Sequence, residues 1–264
     1  MTLDRPRPML TSLALLFLGC GAGVAPSEPA AAGASSTTMT RSADRHGGQD
    51  QDQNQDQPGF AIVPRQAKVA GKTTLDWIPD FWRYLMSLPA DVNPELNLST
   101  DCSVGQSGPV FFVPGFQARV FTRSCTIPAH TPVMYTPQSL FNDYPCPDPS
   151  FQPAPGQTLE EFLAEGAKGF DDLITNLAVT IDGKAIDPEQ IRYLTGLFSF
   201  TGDPSLRTSF DSCVTGSEQV AVVDGWFLLL RLAPGDHTLV TTYVNPGGHQ
   251  VSGTFLLHVL GDDD

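Results

Sequence analysis

Ser107, Asp224 and His237 lie along the chain in the order serine, acid, histidine, in which an α/β-hydrolase presents its nucleophile, orienting carboxylate and general base. That chemistry needs the serine on a strand-to-helix elbow of the form Gly-x-Ser-x-Gly. Here the phrase is Gly105-Gln-Ser-Gly-Pro109, with proline in the last glycine position and strand-forming residues after it. A turn is expected in its place. His237, His249 and His258 could hold a metal only if their rings met. His237 opens one strand-like run, His249 sits in the turn that follows and His258 closes the next run. No i, i+2 pair puts two imidazoles on one strand face. The acids Asp171-Asp172, Glu160-Glu161 and Asp224 offer pairs for glycoside hydrolysis. Adjacent acids on a helix diverge, however, and no spacing links any pair to the separation such chemistry needs, so a solvated face is expected. Asp182 and Asp224 each precede glycine and are expected in tight turns. The sequence thus predicts no catalytic residue, no metal site and no cofactor, and the protein is read as non-enzymatic.

Cysteine is the more informative residue. Cys20 follows the apolar run Met9-Leu-Thr-Ser-Leu-Ala-Leu-Leu-Phe-Leu18 and the small residue Gly19, behind the basic residues Arg5 and Arg7. This is the layout of a bacterial lipoprotein signal, with an apolar stretch too short to remain as a membrane-spanning helix. Residues 1–19 are expected to be removed, and Cys20 to carry the lipid that anchors the chain to a membrane. The alternative is an ordinary secretory signal cleaved after a small residue, because Phe17 stands where lipoprotein signals carry an aliphatic side chain. Four further cysteines, Cys102, Cys125, Cys146 and Cys213, suit two disulfides in an oxidising compartment. Three pairings exist; Cys102–Cys125 with Cys146–Cys213 is favoured because the first pair brackets a hairpin-sized segment. Zinc is the rival, but no Cys-x-x-Cys pair or closely spaced histidine and cysteine is present to bind it.

Composition narrows the class. The net charge is −14, and loss of the signal makes it more negative by taking away two arginines and one aspartate. Nucleic-acid binding is excluded, for want of a basic footprint. With 23 prolines and 24 glycines the chain suits a turn-rich β domain. Residues 20–58 run through Ala, Pro, Ser and Thr into Gln49-Asp-Gln-Asp-Gln-Asn-Gln-Asp-Gln57, too polar to offset ordering entropy, and are expected to form a disordered tether.

Residues 59–264 are read as a single disulfide-braced domain. An aromatic helix is predicted over 77–88, ended by Pro89. Antiparallel strands are predicted over 110–113, 118–122 and 133–135. Thr158 with Glu161 forms a capping box for a second helix, with Leu159, Phe162, Leu163, Ala167, Phe170 and Leu173 on its buried face. Further strands flank Asp182-Gly183, and a C-terminal meander runs over 220–223, 226–232, 237–244 and 250–260. The continuous apolar run 226–230 predicts a central strand covered on both faces. The fold class that follows is mainly β, an antiparallel β-sandwich or jelly-roll with one or two packed helices.

Several phrases resemble a family of exported bacterial proteins of unknown function. They are Asp101-Cys-Ser-Val-Gly-Gln-Ser-Gly-Pro-Val110, Arg123-Ser-Cys-Thr-Ile-Pro-Ala129, Val179-Thr-Ile-Asp-Gly183, Val223-Asp-Gly-Trp-Phe-Leu-Leu-Leu230 and Leu232-Ala-Pro-Gly-Asp-His-Thr-Leu239. The resemblance implies an exported domain and supplies no mechanism. Members of that family often carry another cysteine near position 167, where Ala167 stands here, which leaves the partner of Cys146 open. The combined expectation is a membrane-anchored exported lipoprotein with a non-enzymatic binding or envelope-organising role. Gly21, where some inner-membrane lipoproteins carry aspartate, points to the outer membrane or cell surface. Contact with a protein or carbohydrate ligand is expected at the irregular segments 115–117, 144–155 and 245–250. A secreted hydrolase of glycosidase or serine-esterase type and a purely structural envelope protein are the alternatives.

Overall fold

The apolar run at 226–230 sets the architecture, because all five of its residues are buried in the middle of a 15-residue strand that has a hydrophobic core on each face. The computed structural model describes residues 59–262. The signal peptide at 1–19, Cys20, the tether at 20–58 and the last two acids of the C-terminal tail lie outside the described residues. In chain order the elements are β1 (Phe60–Ile62), α1 (Thr74–Ser87), β2 (Phe111–Val113), β3 (Val120–Ile127), β4 (Val133–Tyr144) and α2 (Leu159–Asp171). There follow β5 (Thr175–Ile181), β6 (Lys184–Ile186), β7 (Arg192–Leu194), β8 (Phe198–Thr201), β9 (Glu218–Leu232), β10 (Gly235–Val244) and β11 (Gln250–Val259).

The fold is mainly β, two sheets packed as a sandwich with two helices against them. In the first sheet β9 pairs with β4 along one side, and with β1, β7 and β8 in succession along the other. The second sheet has the order β3-β11-β10-β5-β6. Side chains alternate across β9 as a strand requires. Trp226, Leu228 and Leu230 meet Leu239, Phe255 and Leu257 of the second sheet. Ala221, Val223, Phe227 and Leu229 meet Ile78, Phe81, Trp82 and Leu85 of α1 on the opposite face. Each such apolar side chain contributes about 1.5–3 kcal/mol on full burial.

Both helices carry the caps their sequences require. Thr73 and Asp76 form a reciprocal capping box at the start of α1, and Thr158 and Glu161 do so for α2. The buried Asn93 amide donates to the Leu85 carbonyl near the end of α1 at 2.8 Å, which ties the following loop to the helix.

Several expectations are corrected. Two strand pairs are parallel, β2 with β4 and β3 with β11. Asp224-Gly225 is no turn but the middle of β9, where strands press from both sides: Gly225 pairs with Ser139 of β4 and with Tyr193 of β7. A Cβ on Gly225 would stand 2.3 Å from the Ser139 Cβ. Glycine here serves a close approach of backbones. β4 runs through Pro137 to Tyr144 because the ladder register shifts between Tyr135 and Gln138, which spares proline a hydrogen bond it could not donate. On α2 the inward stripe is Leu163, Ala167 and Asp171, at a spacing of four; Phe170 and Leu173, expected inside, are exposed, and Asp171, expected in solvent, is 1% exposed. The disulfides are Cys102–Cys125 and Cys146–Cys213, the pairing favoured from spacing, and they are compatible with an exported protein.

Candidate functional site

The hydrolase constellation is not assembled. Ser107 is exposed in a loop, Asp224 is engaged by Arg192, and the His237 ring sits between Asp182 at 2.7 Å and the Ala233 carbonyl at 2.8 Å. The histidines also part company. His237 faces Leu257 across the β10–β11 ladder, so His258 points to the opposite face, where Asp236 meets it at 2.6 Å, and His249 is exposed in the connecting turn. Glu160 and Glu161 are exposed at the start of α2. Two acids do come together: Asp171 feels the charge of Asp224, and Arg192 bridges Asp224 to Asp172, which it reaches at 2.8 Å. Burial first and Asp224 second raise the Asp171 carboxyl to about 7.

A different set of residues encloses a cavity of about 60 Å³, lined on one side by the β4 residues after Tyr135, just beyond the point where β2 stops pairing with that strand. Its walls combine aromatic rings (Trp82, Phe116, Phe121, Tyr135, Tyr243 and Phe255) with the polar groups of Glu95, Thr136, Gln138, Ser139 and Thr241. Tyr135 and Phe255 are almost fully buried, whereas Glu95, Phe116, Phe121, Gln138, Ser139 and Tyr243 are half-buried and form the mouth.

Local structure accounts for each position. The register shift in β4 brings Gln138 and Ser139 to the cavity, and the Thr136 hydroxyl holds the displaced segment by donating to the Trp226 carbonyl at 3.1 Å. Tyr135 and Thr241 share a 2.5 Å hydroxyl contact across the sheets, and the Tyr243 hydroxyl donates to Gln138 Oε1 at 2.8 Å. Rings continue outward from Tyr135 through Phe255 and Phe121 to Phe116, with centroids 5.2, 5.4 and 5.7 Å apart in edge-to-face contacts. The Glu95 backbone N–H donates to Asn93 Oδ1 at 2.9 Å, and its carbonyl accepts from Gln117 at 3.1 Å, which joins the two loops at the mouth. Arg123 braces the same loop by donating from Nη2 to the Pro94 and Asn97 carbonyls.

Glu95 is the only carboxyl among the residues lining the cavity. Burial raises it to about 7, and the positive charge of Arg123 only partly opposes this. Burial, and after it the charges of Glu95 and Asp171, raises the Tyr243 hydroxyl to about 12. Glu95 therefore keeps its proton to higher pH than an exposed glutamate does. Sequence reasoning marked 115–117 as a contact segment, and Gly115 and Phe116 do line the cavity. It missed Glu95, Gln138 and Tyr243, because nothing in their spacing announces a site.

A second acidic group lies beside the Cys146–Cys213 disulfide. Ligand atoms of Asp143, Asp211 and Cys213 fall within 4.8 Å of one another, but the Cys213 sulfur is already bonded to Cys146. Burial raises both carboxyls, and Asp211 raises Asp143 further, so that Asp143 holds a proton shared with Asp211. A carboxyl that binds its proton more tightly in the folded state adds stability below the ordinary carboxylate range and loses it as pH rises towards the raised value. Asp143→Asn, which mimics the protonated form, is expected to change stability little at about pH 4 and to raise it by about 1–3 kcal/mol or more at about pH 8. Urea unfolding at both pH values measures this, and equal effects at the two would exclude a shared proton.

Neither a family model nor a curated protein matches this chain. A solved structure described as the solution structure of amebosin aligns over 53% of this chain and 95% of its own, at 12% identity and a TM-score of 0.16. A likeness of that size carries no argument.

Proposed function

We propose that the chain is an exported lipoprotein, anchored to the membrane through Cys20, whose β-sandwich binds a ligand and performs no reaction on it. The observation that carries the binding role is the cavity at Glu95, which joins a buried aromatic floor to a mouth of half-buried polar groups, the composition of a small-ligand site. Its single carboxyl favours binding over hydrolysis by an acid pair, which needs two carboxyls flanking the same bond. Anchoring rests on the signal-like run ahead of Cys20, export also on the two disulfides and on the phrases that resemble exported bacterial proteins, and placement at the outer membrane or cell surface on Gly21.

Intact mass and detergent partitioning of the native protein beside Cys20→Ala test the anchor. A lipid-sized mass increment lost in the variant is expected, and alkylation before and after reduction should find four protected thiols in the domain. A water-soluble native product without lipid would overturn the anchoring. Turnover of model glycosides or esters by the purified chain would overturn the non-enzymatic role.

A further inference from the structure

The cavity's unpaired polar groups say what kind of ligand fits. We infer, resting on the binding role proposed above, that it receives an exocyclic hydroxyl-bearing group of a neutral saccharide, whose ring stays at the mouth against Phe116, Phe121 and Tyr243.

The first argument is hydrogen-bond inventory. Glu95 brings a carboxyl to the wall, and Trp82, also on it, keeps its indole N–H buried without a hydrogen-bond partner among the described residues. Thr136 spends its one hydroxyl proton on the Trp226 carbonyl, so Ser139 Oγ donates to Thr136 Oγ1 at 3.2 Å and keeps lone pairs to accept with. The Tyr243 oxygen donates to Gln138 and keeps lone pairs to accept with. The wall thus asks for a group that both gives and takes hydrogen bonds. A hydroxyl does both. An ammonium only donates, and would leave the Trp82 indole N–H unanswered. A carboxylate or phosphate would meet Glu95 in a cavity that no basic side chain lines, Arg123 standing behind Phe116 with its guanidinium 5.7 Å from that ring.

Size gives the second argument. A cavity of about 60 Å³ is well short of the roughly 150 Å³ that admits a benzene ring, so it takes an appendage and leaves the sugar ring outside. Half-buried aromatic rings stand at the mouth, where the apolar C–H face of a pyranose would rest. A longer sugar chain could continue into solvent, so polymers and free oligosaccharides present the same chemistry.

The test is saturation-transfer NMR and titration on the whole chain, with maltotetraose, cellotetraose and chitotetraose as probes at millimolar concentration and methylammonium as the charged control. Two variants accompany it. Gly115→Trp adds an indole to the cavity lining at a position where the backbone leaves room for a Cβ, with nothing within 4 Å of it, and circular dichroism and urea unfolding confirm that the variant folds. Glu95→Gln keeps the donor and acceptor pattern of a protonated carboxyl. At least one oligosaccharide is expected to bind and to weaken at least about tenfold in Gly115→Trp. Saccharide binding that persists in Gly115→Trp would place the site elsewhere and overturn the inference, as would silence from all three sugars. Methylammonium binding that Glu95→Gln abolishes would overturn the ligand class while leaving the binding role intact. The lipid increment on Cys20 is read separately, so failure of the anchor and failure of the ligand are distinguishable.

Discussion

Gly225→Ala is expected to cost more than about 4 kcal/mol, enough to unfold most of the protein at room temperature. The added methyl would lie 2.3 Å from the Ser139 Cβ, 2.5 Å from the Ser139 Cα and 2.6 Å from the Gln138 carbonyl oxygen. Two of those neighbours are backbone, and β9 cannot slide away from them because β7 holds its other side at Tyr193. The glycine also sits at φ +153°, in a region that side chains rarely occupy. A control separates the two causes. Gly183→Ala, at φ +74° with open space around the new methyl, pays only for backbone conformation and should cost about 1 kcal/mol. Urea unfolding of both variants measures the difference. Equal losses would mean that the approach of β4 to β9 at this point is not what glycine serves.

Loss of the Cys146–Cys213 disulfide through paired serine substitutions should be nearly as damaging. This bridge closes a segment of 67 residues, and in the loop-closure account a bridge of that span stabilises by about 4 kcal/mol. Cys102–Cys125 spans 23 residues, and the same account assigns it about 3 kcal/mol. The bridges also hold different things: Cys213 carries the strand connection beside the Asp143–Asp211 pair, whereas Cys102 and Cys125 belong to the core between the sheets. Denaturant unfolding of the two double-serine variants ranks them. A larger loss from the shorter loop would show that core packing around Cys102 and Cys125, and not chain entropy, dominates.

The elements that read clearly in the sequence are those in which pattern and environment agree. The capping box at Thr158, the turn at Asp182-Gly183 and the two-sided burial of 226–230 each follow from local chemistry that the fold leaves in place. Where tertiary contacts override a local signal, the reading fails. Asp224-Gly225 has the residues of a tight turn, yet pairing on both edges makes it strand, and Pro137 has the look of a strand end until the register shift accommodates it. β7 and β8 are three and four residues long and exist as strands because β9 offers an edge, so their own residues announce nothing. The site was hidden for the same reason. Glu95 lies in a loop, Gln138 beyond the register shift and Tyr243 near the end of β10, and only the packing of both sheets with α1 brings them to one cavity.

The place of β9 after most of the strands it joins bears on the order in which the protein can fold. Both cores draw on residues between 221 and 230, and β1, α1, β2 and β4 all precede them. A ribosome would have to reach residue 230 before both cores could close. Until then the earlier strands have no central partner. On the proposed export route, folding would fall on the far side of the channel, where the cysteines could also be oxidised.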